Sequence, residues 1–207
     1  MALPATDSFN GTFNDTLTTY SANWSNVVGT IRITISPGIR PDNASNFSGY
    51  RWNADTFADK HYAKGVATDV SPGVNASAGV GPAIRCQSGA SSFYYCVTFG
   101  TGPLAFNGEC ITGTGTDWDS GQTIAAGDTI EIGVDPTTAT TILFKRNGSL
   151  TATYTSKSAL SAGSAGVCGF DSDGGVQMTS WEGGDVAGGG GGAASKGVAS
   201  MTLVGVQ

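Results

Sequence analysis

Hydrolysis of a glycosidic bond needs two carboxyl groups about 5–5.5 Å apart, or about 6.5–9.5 Å apart when a water must fit between them. Glu131 and Asp135 sit four residues apart in EIGVD, which is about 13 Å along a strand and too far for that pair alone. Asp117/Asp119 and Asp171/Asp173 have i,i+2 spacing, but they lie in the Gly-rich turn sequences GTGTDWDSG and DSDGG. Asp in such turns usually caps its own backbone. The chain has 1 His, His61, so any lyase base or Ser-His-Asp triad would have to use it, and no GxSxG elbow accompanies it. A lone His in ADKHYAKG reads as a satisfied structural residue. These residues describe a protein that is not an enzyme.

Sugar binding asks for less: an exposed aromatic to stack on, with polar neighbours for the hydroxyls. Trp118, flanked by Asp117 and Asp119 in a polar loop, is the candidate contact and is expected to stand exposed. Tyr50, Tyr62, Tyr94 and Tyr95 are left open, because alternation alone does not say which face of a strand points inward.

The elements that would position these residues are strands. Gly is 32 of 207 residues, charged residues are 13% and apolar residues 39%, a composition that favours short strands and turns over long helices. Period-2 patterns predict strands at Thr30–Ser36, Ser48–Asn53, His61–Val70, Gly79–Gln87, Ser92–Gly100, Ala105–Gly113, Asp128–Val134, Thr141–Arg146, Leu150–Thr155, Gly166–Asp171 and Gln177–Glu182. Asn147–Gly148 supplies the two positive-φ residues of a type I′ hairpin turn, and Ser88–Ser91 joins a second hairpin. Many strands at regular turn spacing mean an all-β sandwich or barrel. Among the 4 Cys, Cys86 and Cys96 flank the second turn; they read as small buried hydrophobes, with a disulfide across the hairpin as the alternative.

Charge limits the partners. The net charge is −6 and no basic cluster exceeds Lys145–Arg146, which argues against nucleic acid and anionic lipid. No apolar run reaches the length of a membrane span. The start MALPATDSFNGTF lacks the basic and apolar regions of a secretory signal, so synthesis in the cytoplasm is expected.

Four segments taken in order, DSFNGTFNDTL with NW at 23–24, YRWNADTFADKHY, VGPAIRCQSGASSFYYCVTF and GDTIEIGVD…ILFKRNGSL…SWEGGDV, resemble the concanavalin A-like lectin/glucanase superfamily. The likeness is to LamG-like modules of bacterial secreted proteins and phage virions, and it covers roughly residues 7–186. It implies a two-sheet antiparallel jelly roll with the Asp-x-Phe-Asn segment beside the closing Trp-Glu-Gly-Gly-Asp strand. It further implies that Trp24, Trp52 and Trp181 are core, and that Asp7 and Asp185 would be the ligands if a structural Ca²⁺ is bound near the paired ends. The glucanase branch carries Glu-x-Asp-x-x-Glu on one strand, which Glu131–Asp135 does not match.

The domain reading is a sandwich over 1–186, a Gly-rich linker over 187–195 and an apolar tail over 196–207. The linker spans roughly 15–18 Å r.m.s. as a flexible coil. Met201, Leu203, Val204 and Val206 of the tail are expected to add to a neighbouring surface by strand addition. A binding fold without an export signal and with such a tail points to a phage virion protein. Within that reading it is a capsid decoration or cement protein that clamps neighbouring shell subunits and forms a homo-oligomer, with a trimer as one expected size. The alternative is a carbohydrate-binding module or host-surface adhesin, a tail or fibre component or an extracellular protein.

Overall fold

The computed structural model describes residues 3–35, 37–70, 78–99, 104–172 and 176–187. The Gly-rich tract beyond Ala187, the tail residues Met201, Leu203, Val204 and Val206, and Asp173 lie outside the described residues. The strands in chain order are β1 (Ala5–Asp7), β2 (Trp24–Val28), β3 (Ile31–Ile33), β4 (Ile39–Trp52), β5 (His61–Val70), β6 (Gly79–Cys86), β7 (Phe93–Phe99) and β8 (Leu104–Ile111). They continue as β9 (Thr114–Asp117), β10 (Gln122–Thr123), β11 (Thr129–Val134), β12 (Ile142–Arg146), β13 (Ser149–Tyr154), β14 (Ser164–Ser172) and β15 (Val176–Asp185). The helix among the described residues is the single turn α1 (Leu17–Tyr20), capped by the Thr16 hydroxyl and pinned to the core by buried Leu17.

All pairings among the described residues are antiparallel. Sheet A runs β15-β5-β11-β12-β13, with β1, β3 and the first part of β4 beside β15 or β4. Sheet B runs from the second part of β4 through β14, β6, β7 and β8, with β2 on β4 and β9 and β10 on β8. β4 is 14 residues long and belongs to both. The two sheets stack as a jelly-roll sandwich. Every strand expected from the sequence is present in substance, and β1, β2, β9 and β10 are additional. Asn147 and Gly148 have φ of 50° and 78°, as the predicted hairpin turn requires.

The main core lies between the sheets. Trp24, Trp52 and Trp181 meet there with ring centroids 4.9–5.1 Å apart, as the resemblance implied. Ala63, Ala67, Ile130, Ile132, Val134, Ile142 and Phe144 of sheet A face them, so the alternate residues of β5, β11 and β12 must point outward. Sheet B has a second apolar cluster on its other face, built on Phe47, Phe93, Tyr95 and Val97 with Cys86, Cys110 and Cys168. β6 is accordingly buried at all 8 of its positions. The sheet curls around this cluster until Phe47 of β4 meets Gly115 of β9, where a Cβ would lie 2.2 Å from the Phe47 ring. Side chains fill the hollow of sheet B.

Cys86 and Cys96 do not form the disulfide offered as the alternative. Cys86 belongs to the outer cluster and Cys96 to the main core, so they project from opposite faces of sheet B. A bulge at Arg85, with φ of 52°, resets the alternation just before Cys86. All four cysteines are free and buried.

Candidate functional site

The hollow of sheet B is filled by side chains, whereas the outward face of sheet A borders an open groove. The side chains of that face form rows across the strands. One row contains Glu182, Lys64, Glu131 and Lys145, each opposite the next in register. Lys64 Nζ lies 2.8 Å from Glu182 Oε1, and Lys145 Nζ 2.6 Å from Glu131 Oε1. The adjacent row contains Gly184, Tyr62, Gly133 and Leu143.

Tyr62 is the aromatic of this face. A Cβ on Gly184 would lie 2.9 Å from the Tyr62 hydroxyl and 3.0 Å from ring carbons, and a Cβ on Gly133 would lie 3.0 Å from the Tyr62 Cβ. Gly184 therefore leaves room for the ring to lie over β15, and Gly133 leaves room for the Tyr62 Cβ, while the side chain stays half-buried. Its hydroxyl donates to Glu182 Oε1 at 2.5 Å, and Lys64 Nζ stands 5.6 Å from its centroid. Burial and the Glu182 carboxylate both push the Tyr62 phenol up, so it stays a neutral donor. Burial alone would raise the Glu182 carboxyl, but the donors Lys64 and Tyr62 outweigh it and hold it below the usual carboxylate range.

One row along from Tyr62, beginning at Lys64 and Glu182, lies an open groove of about 630 Å³ whose floor reaches Gly65, Trp52 and Trp181. Val66, Thr129, Ser180 and Glu182 contribute from the sheet, and Thr6, Asp7, Ser8, Tyr20, Ser21 and Asn23 from the N-terminal segment and α1. The size is that of a small-ligand site, and most of the lining can donate or accept hydrogen bonds. Asp7 supports the wall that α1 forms. Its Oδ1 accepts from Tyr20 Oη and Phe9 N, each at 2.8 Å, and its Oδ2 from Trp24 Nε1 at 2.8 Å. Burial, reinforced by the Asp7 carboxylate, pushes the Tyr20 phenol up to about 12.

The residues singled out from the sequence fall elsewhere. Trp118 is half-buried, not exposed. It packs against Tyr94 and Tyr154, with centroids 5.2 Å away in both cases, and Lys157 Nζ sits 4.5 Å over its ring. The reason is its register: Trp118 N donates to Asn107 O, which continues the β8–β9 ladder and turns the indole into the gap between the sheets. Asp119 accepts from Tyr154 and Gln122, and exposed Asp117 accepts from Tyr95 Oη at 2.6 Å. Asp117 and Asp119 thus act as local ties.

Asp7 and Asp185 do not converge. Asp7 is opposite Trp181, four residues before Asp185, or about 13 Å of strand. Asp185 caps Ala58 N at 2.8 Å. Among the described residues no group of three or more His, Cys, Asp or Glu side chains is placed to hold a metal.

Glu131 is tied to Lys145, and Asp135 accepts from the amides of Thr137 and Thr138. His61 is fully buried; its Nδ1 is 2.7 Å from Ala58 O, and its Nε2 accepts from Arg85 N at 3.0 Å. It is the structural residue the sequence suggested. Tyr62 was one of four tyrosines left open, and Lys64 and Glu182 were not singled out. Their only signal is a Tyr and a Lys on the outward phase of β5, and nothing local reveals that Gly133 and Gly184 will flank the Tyr.

No protein-family model and no curated protein sequence matches this chain. Solved structures do. The carbohydrate-binding module CBM66 from Bacillus subtilis superposes with a TM-score of 0.56 at 14% identity, over 76% of this chain and 91% of that one. A Bacillus licheniformis β-glucanase gives 0.51 at 11% identity over 88% and 98%. A Shewanella oneidensis protein of unknown function gives 0.52 at 11% identity over 86% and 84%. The fold is a concanavalin A-like jelly roll. At these identities the likeness is one of fold, shared by a binding module and an enzyme.

Proposed function

We propose that this chain is a non-catalytic carbohydrate-binding module whose glycan site is the groove and Tyr62 platform on the outward face of sheet A. The observation that carries this reading is the Tyr62 ring lying over Gly184, one row from a polar groove that begins at Lys64 and Glu182. A pyranose ring has an apolar C–H face and a rim of hydroxyls. The ring of Tyr62 suits the first, and Lys64, Glu182, Thr129 and Ser21 suit the second. The carboxylates are poor candidates for bond cleavage. Glu182 is held ionised by Lys64 and Tyr62, whereas a general acid needs a raised pKa, and Asp7 already accepts three hydrogen bonds.

Covering about 60–80 Å² of the Tyr62 ring at about 25 cal/mol per Å² is worth about 1.5–2 kcal/mol. Tyr62→Ala should therefore weaken glycan binding about 10- to 30-fold. The test is a glycan array followed by calorimetric titration of the best ligand against the parent, Tyr62→Ala and Trp118→Ala. Tyr62→Ala should lose affinity and Trp118→Ala should keep it. The reverse order would move the site to the Trp118 loop, and no binding at all would remove the glycan reading.

A second reading is a structural protein of a virion, a capsid decoration or cement protein anchored by its C-terminal segment. Its support is that Val186 N donates to Lys60 O at 3.0 Å, the last tie of sheet A among the described residues. An exposed Ala187 follows, with the Gly-rich tract and the apolar tail next in sequence. Truncation after Ala187 should leave the domain folded and abolish incorporation into particles. Full incorporation of the truncated chain would remove this reading.

A further inference from the structure

The outward face of sheet A is complementary to itself. Across β15, β5, β11 and β12 one row reads Glu182, Lys64, Glu131, Lys145, alternating acid and base. The adjacent row reads Gly184, Tyr62, Gly133, Leu143, alternating small and large. Consider a second copy rotated by 180° about an axis that lies in the face, parallel to the strands and midway between β5 and β11. Each row then meets itself in reversed order. Glu182 faces Lys145 of the second copy, and Lys64 faces Glu131 of the second copy. Leu143 faces Gly184 of the second copy, where the Tyr62 ring lies, so aliphatic meets aromatic.

The charge row extends at its ends to Thr6 on β1 and Leu150 on β13. Leu150 is one of the exposed large apolar side chains, at 59%, and the rotation carries it to Thr6 at the groove of the other copy. A two-fold axis laid along the charge row would set each charge against its own kind. The pattern thus favours the strand-parallel two-fold, an isologous operator in which residue i meets j and j meets i.

We propose that this chain forms a two-fold dimer through the outward face of sheet A, each copy presenting its β12–β13 hairpin to the groove of the other. The strands of the two sheets run nearly aligned, a common way for sheets to stack. The face spans about 24 Å across five strands and about 20 Å along them, or about 480 Å² per copy in projection, at the low end for a specific interface. The dimer is therefore weak and exchanging. It competes with a glycan for the groove, but its test needs no sugar.

The experiment is sedimentation equilibrium of the full chain at low salt, with Lys145→Glu, Glu182→Lys and their equimolar mixture. The parent should show a weak, concentration-dependent monomer–dimer equilibrium, as suits an interface at the low end of size. Each reversal alone sets like charges against each other and should weaken it about tenfold or more. In the mixture Glu182 of one variant faces Lys145 of the other, and Glu at 145 faces Lys at 182, so dimerisation should return. Leu150→Asp, at an exposed position, should also weaken the dimer, with tryptophan fluorescence reporting an unchanged fold. A parent that stays monomeric to millimolar concentration, a trimer, single reversals without effect, or a mixture no better than its components would each overturn the proposal.

Discussion

Asp7→Ala is the perturbation whose size the structure sets most directly. The Asp7 carboxylate accepts from Trp24 Nε1, Tyr20 Oη and Phe9 N. Trp24 is 2% exposed and Phe9 0%, so both N–H groups depend on this carboxylate for their acceptor. A buried donor left without an acceptor costs about 1–3 kcal/mol. The Tyr20 hydroxyl borders the groove and can be rehydrated, so its loss is nearer the ordinary 0.5–1.5 kcal/mol or so. Allowing for relaxation of the short N-terminal segment, the variant should lose about 2–5 kcal/mol, a large part of the roughly 5–15 kcal/mol that holds a domain together. Asp7→Asn keeps one acceptor oxygen and should lose about half as much. Urea unfolding followed by fluorescence suits the measurement, because Trp24, Trp52 and Trp181 pack together beside Asp7. The same titrations with added Ca²⁺ and with chelator test the ligand role that the resemblance gave to Asp7 and Asp185. Unchanged midpoints are expected, since the Asp7 oxygens are occupied and Asp185 lies about 13 Å further along the strand. A loss below about 0.5 kcal/mol, the ordinary range for surface changes, would refute the reasoning. So would Ca²⁺ stabilisation of the parent that Asp7→Ala abolishes.

Gly184→Ala should lift the Tyr62 ring off the sheet and lower glycan affinity, while a denaturation curve moves by no more than about 1–3 kcal/mol, the worth of a hydrogen bond to a charged group. His61 gives a pH signature. Burial, with a smaller contribution from the Arg85 guanidinium, holds its folded pKa below 6.5. The folded state therefore binds fewer protons than the unfolded one, and stability is full above pH 6.5 and falls as pH drops below it. His61→Gln should flatten that slope, leaving the further loss at lower pH, where Glu182 and Asp128, both held below the carboxylate range, take up protons. The four cysteines should all be inert to a thiol reagent until the chain is unfolded, because each thiol is buried and its pKa raised. Fast labelling of the native protein would contradict this.

The strands were legible because most have one face in the main core and one in solvent, as β11 shows with Ile130 and Ile132 against Glu131. The Asn147–Gly148 turn was legible because only positive-φ residues suit it. Where both faces are covered the signal fails, and β6 carries no alternation to read. Cys86 illustrates a second limit: a one-residue bulge at Arg85 changes its face, and no local preference announces it. Trp118 shows a third. Its polar neighbours suggested exposure, but the ladder to Asn107 turns the ring inward. The Tyr62 platform depends on β11 and β15, far away in sequence, so it exists only once the register of sheet A is known.

β4 runs through both layers, pairing with β3 and β15 at one end and with β14 and β2 at the other. A protease cut within it would sever both sheets at once, whereas a cut at the Asn147–Gly148 turn would free only one edge. The sandwich therefore has a single backbone whose integrity governs the whole, and its halves cannot melt separately. Amides of β4 should exchange only through global unfolding, while those of β13 exchange by local fraying.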